Sequence, residues 1–384
     1  MNNTFDFAVI GAGVFGAWIA KYLRDSGASV VLLDAYGPGN SRSSSGGETR
    51  IIRFGYGPDE LYTRWAMRSF PLWQEFFDGI GRKLFYRTGV LWLGHHADPH
   101  LLGMWALLQR LQAKCERLSA AEIRQRYPQL HFEDVTLGLL EPESGVLMAR
   151  QAVQALAEYL VRSGVECRTA AVVPPRQEGR LAEIKTNDGQ SISAGAFVFA
   201  CGSWLPKLFP DLLKDRIFPT RQEVFFFGPP GGSAEFSWPK MPAWLQHSHP
   251  DRPYALPNID GRGFKIALDT HGPEFDPDTG ARIVSQQSVD HVRDYLRQHI
   301  PALAEAPIIE TRVCQYENTG NGDFLIDRHP SLENVWLAGG GSGHGFKHGP
   351  AIGECLSARI LHNATAEQRF SLGTKPRRQA REVY

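Results

Sequence analysis

The stretch from Phe5 to Asp34, FDFAVIGAGVFGAWIAKYLRDSGASVVLLD, admits few folds. Phe7 to Ile10 is a short apolar run of the kind that forms a buried parallel strand. It runs into Gly11-Ala12-Gly13-Val14-Phe15-Gly16, a GxGxxG pattern, and Trp18 to Leu23 then carries apolar residues at helical spacing. Ser29 to Leu33 reads as a second strand, and Asp34 ends it. In this arrangement Gly11 makes the tight turn, Gly13 lets a pyrophosphate approach the backbone, and Gly16 lets helix pack on strand. The helix start offers free N–H groups to phosphates, and Asp34 is placed to accept from a ribose hydroxyl. The pattern predicts dinucleotide binding and does not by itself separate NAD from FAD.

At 384 residues the chain is long for one ordinary domain, so two are expected. Its 41 Lys+Arg balance its 41 Asp+Glu, so no overall field recruits nucleic acid or an anionic membrane. No apolar run approaches the roughly 20 residues that span a bilayer. The N-terminus has no basic segment before its apolar stretch, which the nucleotide motif already uses. Five cysteines (115, 167, 201, 314 and 355) make no CxxC and no metal spacing. Neither a metal nor a disulfide framework is expected, and a reducing cytoplasm is the simplest compartment. The basic tail around Lys375, Arg377, Arg378 and Arg381 reads as a solvated end.

After Asp34, residues 37–48 are too polar and glycine-rich for a core, and form either a mobile loop or one held by a ligand. In an extended segment Arg50 and Arg53 point to opposite faces, one for a cofactor and one for a substrate anion. Leu61 to Phe77 reads as a helix broken or kinked near Pro71. Leu84 to Leu93 reads as a strand pair, Leu101 to Leu118 as a helix, Met148 to Val161 as an amphipathic helix and Glu166 to Val173 as a strand. Lys185 to Ile192 forms a hairpin arm around Asp188-Gly189, and Ala196 to Ala200 an apolar strand ending at Cys201-Gly202. Val224 to Phe227 and Gly263 to Leu268 suggest an antiparallel sheet. Near the end, the strand Val335 to Ala338 meets a second glycine loop, Gly339 to Lys347, before a helix from about Pro350 to Leu361. Two helix starts serving one ligand suit FAD, whose ring gains negative charge on reduction.

Several separated motifs now occur in one order. They are Gly47-Glu48-Thr49-Arg50-Ile51-Ile52-Arg53, Glu141 to Leu147, Val313-Cys314-Gln315-Tyr316, Phe324 to Pro330 and Gly343-His344-Gly345-Phe346-Lys347. Together they resemble the monomeric sarcosine oxidase / N-methyltryptophan oxidase family over nearly the whole chain. The resemblance implies an α/β (α+β overall) flavoprotein of the D-amino-acid-oxidase type. A Rossmann-like FAD-binding domain (residues 1–85, 146–218 and 322–384) would carry a second domain with a mixed or antiparallel sheet (86–145 and 219–321) for substrate. The implied activity is oxidation of the C–N bond of a small, usually N-alkylated amino acid to an imine, with oxygen reduced to hydrogen peroxide by a monomer.

The same resemblance assigns residues to roles. Gly11, Gly13, Val14, Phe15, Gly16, Asp34, Ala35, Ser44, Thr49, Arg50, Val173, Gly202, Trp204, Gly343, His344, Gly345, Phe346 and Lys347 fall at cofactor positions. Cys314 falls where the family attaches FAD covalently through an 8α thioether. Arg53 and Lys347 match a carboxylate clamp, Lys265 the lysine that assists oxygen reduction, and Tyr254 an active-site tyrosine. Two departures stand out. Asp269 occupies the place of a histidine four residues after the lysine, and Ser45 and Gly46 replace paired histidines. Asp269 either lines the pocket or caps the Asp269–Gly272 turn. The implied enzyme is thus an amine oxidase of altered substrate choice. A flavin dehydrogenase using another acceptor and a flavin-holding subunit of a larger complex are the alternatives, the latter opposed by the presence of Arg53, Lys347 and Lys265 together.

Overall fold

The computed structural model describes residues 4–378. The strand Thr4–Ile10 lies between Ser191–Phe199 and Val30–Asp34, parallel to both. Val335–Gly339 extends the sheet beyond Ser191–Phe199 and Glu166–Thr169 extends it beyond Val30–Asp34, again in parallel. Leu325–Arg328 and the short arm Glu183–Lys185 add antiparallel pairs, making seven strands. Ala8, Val9, Val31 and Leu33 are almost fully buried, as strands covered on both faces require. On one face the helix Val14–Asp25 packs against the helix Gly349–His362. Gly353 makes that approach possible, since a methyl group there would lie 2.9 Å from the Trp18 backbone.

A second sheet has eight strands. Its long edge pair, Ile217–Phe227 and Ile308–Thr319, is followed by Phe264–Leu268, Pro253–Leu256 and Ala243–Gln246. Val90–Gly94, Leu137–Glu141 and Glu116–Ser119 complete it, and only Ala243–Gln246 with Val90–Gly94 pairs in parallel. The expected antiparallel pairing is present, with Phe225 opposite Ile266 and Phe226 opposite Lys265. A small third sheet joins Arg50–Ile52, Gly145–Leu147 and Phe85–Tyr86. Among the described residues no helix is long and apolar enough to cross a membrane, and no cluster of metal-ligating side chains occurs.

Four expectations are corrected. Of the break or kink expected near Pro71, the break is absent: the helix Glu60–Gly79 runs through it, because Tyr62, Ala66, Trp73 and Phe76 bury one continuous face and outweigh one lost hydrogen bond. The helix expected to reach Leu118 ends at Arg110, where Gln112 takes a left-handed φ of 56° and the chain turns into the strand Glu116–Ser119. Leu84 to Leu93 is not a pair, since Phe85–Tyr86 and Val90–Gly94 belong to different sheets. In the basic tail, Lys375 is buried, with its ammonium donating to the Arg369 carbonyl at 2.6 Å, while Arg377 pairs with Asp215. Arg381 lies outside the described residues.

Candidate active site

Two cavities meet where the seven-stranded and eight-stranded sheets approach each other, sharing Arg50, Cys314, Tyr316, Ser342, Gly343 and Phe346 as walls. The larger, of about 200 Å³, begins at the glycine loop. Gly11 has a φ of 104°, and a methyl there would strike the Ala200 carbonyl at 2.3 Å. Gly16 packs on the Gly11 carbonyl, as its role in helix–strand packing requires, and does not line the cavity. The N–H of Val14, the first residue of the helix, donates to Ser45 Oγ at 3.1 Å. Asp34 lines the same cavity and also serves the fold. Its Oδ2 accepts the Ala12 N–H at 2.8 Å and its Oδ1 the Tyr36 N–H at 2.9 Å, so it also holds the glycine loop to the second strand. Burial raises its pKa, against those backbone donors.

Gly13, Val14, Phe15, Ala35, Ser44, Gly202, Trp204 and Gly345 line the same cavity. Val173 does not. Its N–H pairs with the Lys185 carbonyl, it is exposed, and Ala170, Ala171 and Val172 form that wall instead. Thr49 stands behind the wall, where its carbonyl accepts from Lys265 Nζ at 2.9 Å and from Arg50. His344 and Lys347 line only the smaller cavity. The chemistry of the larger cavity suits FAD. Its lining holds an acid, Asp34, a thiol, Cys314, and a guanidinium, Arg50, and Ser203 Oγ, Gln315 Nε2 and Glu317 Oε2 are buried in its lining residues without a hydrogen-bond partner.

Cys314 lies on the strand Ile308–Thr319 opposite Gln222, with Arg50 Nη2 at 3.6 Å from its Sγ. Cys201 also lines the larger cavity, but its thiol donates to the Ile10 carbonyl and burial pushes its pKa up. Arg50 faces both cavities, whereas Arg53 faces only the smaller one.

The smaller cavity, of about 70 Å³, gathers Arg53, Lys347, Lys265, Tyr254 and Asp269. Arg53 is 5% exposed and stacks between Tyr56 and Trp92, each ring centroid 4.5 Å away, while donating to the Gly55 carbonyl. Lys347 Nζ donates to the His344 carbonyl at 2.8 Å. Burial, and then the Arg53 guanidinium, hold Lys347 well below the usual lysine range. Burial, and then Arg50, do the same to Lys265, which lies 5.5 Å over the Tyr254 ring. Both ammonium groups carry a desolvation cost that an anion beside them offsets.

Asp269 follows the strand Phe264–Leu268, and its N–H is tied to the Asp251 and Arg252 carbonyls. Its carboxylate accepts from the Tyr316 hydroxyl and lines the cavity. Burial raises its pKa to about 6, against the pull of Tyr316, Arg53, Lys347 and Lys265.

Three buried residues that shape the site went unassigned in the sequence. Glu141 accepts from the N–H groups of Phe54 and Gly55, from Trp92 Nε1 and from Ser144 Oγ. Glu48 is ringed by Arg312, Arg150 and Arg262 at 2.7, 3.3 and 3.4 Å. Tyr56 donates or accepts between His344 Nδ1 at 3.1 Å and His348 Nε2 at 2.6 Å. The acidic residues within the motifs were the available signal, since a buried carboxylate demands partners.

A family model described as FAD dependent oxidoreductase matches residues 6–359. A monomeric sarcosine oxidase from Bacillus sp. (strain NS-129) is 31% identical over 378 residues, covering 97% of this chain and 96% of that protein. An N-methyl-L-tryptophan oxidase from Salmonella heidelberg (strain SL476) is 27% identical, covering 91% and 93%. The crystal structure of L-proline dehydrogenase from P. horikoshii superposes with a TM-score of 0.82 at 22% identity, covering 97% and 98%, a likeness of fold.

Proposed function

The chain belongs to the FAD dependent oxidoreductase family, and from that premise we propose that it oxidises the C–N bond of a small N-substituted amino acid to an imine, with oxygen as the acceptor and hydrogen peroxide as the second product. The carrying observation is one cavity that pairs a two-cation wall, Arg53 and Lys347, with Asp269 and adjoins the dinucleotide cavity. FAD, when bound, supplies the two-electron acceptor. The residues that would hold it are the Gly11–Gly16 loop, Asp34, Arg50, Cys314 and the Gly343–Phe346 loop.

Arg53 and Lys347 hold the substrate carboxylate, the guanidinium as a fork and the ammonium as a point charge. Asp269 and Tyr316 then stand on the side of the amine, where the carboxylate accepts an N–H or pairs with a basic group further along the substrate. Leu245, Ala267 and Leu268 narrow the cavity and exclude water, which strengthens each charge interaction. Lys265, held by the Thr49 carbonyl, is the cation beside which oxygen gains negative charge. Cys314 is the point of covalent attachment, with the Arg50 guanidinium in contact with its sulfur.

The proposed division assigns residues 1–85, 146–218 and 322–384 to a cofactor body and residues 86–145 and 219–321 to a substrate body, 4–378 of these being described, in a monomer of the cytoplasm. Support comes from the sheets, since the seven-stranded sheet draws only on the first set and the eight-stranded sheet almost wholly on the second. The decisive experiment is a peroxide-release and oxygen-uptake screen of purified protein over N-methyl, cyclic and glycated amino acids. Turnover with a carboxylate-bearing amine and one peroxide per imine is expected. Turnover that requires an artificial electron acceptor would make the protein a dehydrogenase, and turnover of amines lacking a carboxylate would remove the clamp.

A further inference from the structure

Glu317 is a carboxylate in the wall of the larger cavity for which the fold provides too few partners. It lies three residues beyond Cys314 on the strand Ile308–Thr319, paired with Pro219, and is 8% exposed. Its Oε1 accepts the Gly341 N–H at 3.2 Å, while Oε2 is buried without a hydrogen bond. Among the described residues no lysine, arginine or histidine forms an ion pair with it. The backbone has been cleared around it. Methyl groups on Gly202, Gly339 and Gly341 would lie 3.5, 3.4 and 3.1 Å from its carboxylate oxygens. Burial raises its pKa to about 7, against the N–H groups of Gly341 and Gly340.

A buried carboxylate with unused acceptor capacity is destabilising unless a ligand completes it. For the carboxylate form the missing partner is a donor, and a phosphate, which only accepts, would repel that form. Among the donors of FAD, the placement proposed above gives the ribose hydroxyls to Asp34 and the ring to Cys314 and Arg50, all of which line the cavity. The hydroxyls of the ribityl chain, which joins ring to pyrophosphate, remain.

We propose that Glu317 binds the ribityl chain of FAD by accepting hydrogen bonds from its hydroxyl groups, at the expense of apoprotein stability. The inference rests on FAD occupying this cavity. It gives Glu317 two opposed effects, and these distinguish binding from a structural role.

The test uses the full chain carrying Cys314→Ala, so that binding is reversible, alone and with Glu317→Gln or Glu317→Leu. Affinities for FAD, riboflavin and ADP are measured by fluorescence titration and calorimetry, and apoprotein melting without ligand. Glu317→Leu is expected to weaken FAD and riboflavin by about tenfold or more. ADP, which lacks the ribityl chain, should change by less than about threefold, and the apoprotein should melt no lower than its parent. Glu317→Gln, which keeps an acceptor oxygen, should retain most of the affinity. Unchanged riboflavin affinity in Glu317→Leu, or a loss confined to ADP, overturns the assignment. A lowered apoprotein melting temperature, or failure to fold, makes the carboxylate structural and overturns it as well. A parent that binds no FAD overturns the cofactor reading itself, a distinct result.

Discussion

Glu141 sets the position of Arg53 through the backbone. Its two carboxylate oxygens accept the N–H groups of Phe54 at 2.7 Å and Gly55 at 3.1 Å, the two residues that follow the arginine. The same carboxylate accepts from Trp92 Nε1 at 2.9 Å, and the Trp92 ring forms one face of the guanidinium slot. One buried acid therefore places both the start of the Arg53 loop and a wall of its slot. Replacing Arg53 or Lys347 by Met is expected to lower kcat/KM for a carboxylate substrate by about 2–4 kcal/mol of transition-state binding. Glu141→Gln, which turns an amide N–H toward backbone donors, should shift the same parameter in the same direction while Arg53 is intact. Steady-state kinetics beside inhibition by a simple carboxylate checks this, and unchanged inhibitor binding in Arg53→Met would remove the clamp.

Attachment through Cys314 predicts that acid-precipitated, washed protein stays yellow and gives a fluorescent band on a denaturing gel. Cys314→Ala should lose both signals, whereas Cys201→Ala should keep them, because that thiol is held by the Ile10 carbonyl. Flavin released freely from the parent protein would contradict the attachment.

Lys265→Met should slow reoxidation by oxygen far more than reduction by substrate. The ammonium is buried and tied to the Thr49 carbonyl, whereas the proposed carboxylate clamp is made by Arg53 and Lys347. Stopped-flow measurement of the two half-reactions separates these effects, and equal slowing of both would count against an oxygen role.

Asp269 is expected to give the site a pH dependence. With its pKa raised to about 6, it is a neutral acid below that pH and a carboxylate above it. Burial disfavours the charged form, so its contribution to stability is complete below the unfolded-state value of about 4 and is lost as pH rises through 6. Amine binding has the opposite sign and strengthens as the carboxylate forms. The kcat/KM profile should show an acid limb near pH 6 for a substrate bearing a cationic group. Asp269→Asn should abolish the limb, flatten apoprotein stability between about pH 4 and 6, and change the ranking of substrates. An unchanged ranking with stability alone reduced would return Asp269 to a turn residue.

What could be read in the sequence was what depends on local spacing. The Phe5–Asp34 unit, the second glycine loop and the antiparallel pairing at Lys265 each follow from a run of neighbours, and each is present. The helix assigned to Leu101–Leu118 failed because Leu118 is buried as a strand residue opposite Gly138, a partner 20 positions away that no periodicity announces. Glu48, Glu141 and Glu317 were missed for a related reason. Each is an acid whose partners lie mostly far along the chain, and only the folded chain brings three arginines to the first and four donors to the second. Lys375 escaped in the same way, buried against the Arg369 carbonyl at the end of a basic tail.

The strand Ile308–Thr319 acts as a ruler for the whole molecule. Its pairing with Ile217–Phe227 runs without a slip from Thr319 to Glu310, setting Cys314 against Gln222 and Tyr316 against Thr220. Displacement by one residue would turn the thiol and the tyrosine to the opposite face and break both cavities together. On the proposed attachment, bonded flavin then keeps a record of assembly. Chains with the edge strand correctly threaded become permanently coloured and misthreaded chains do not, so absorbance of denatured protein counts how many molecules once reached the native alignment, even after they have unfolded.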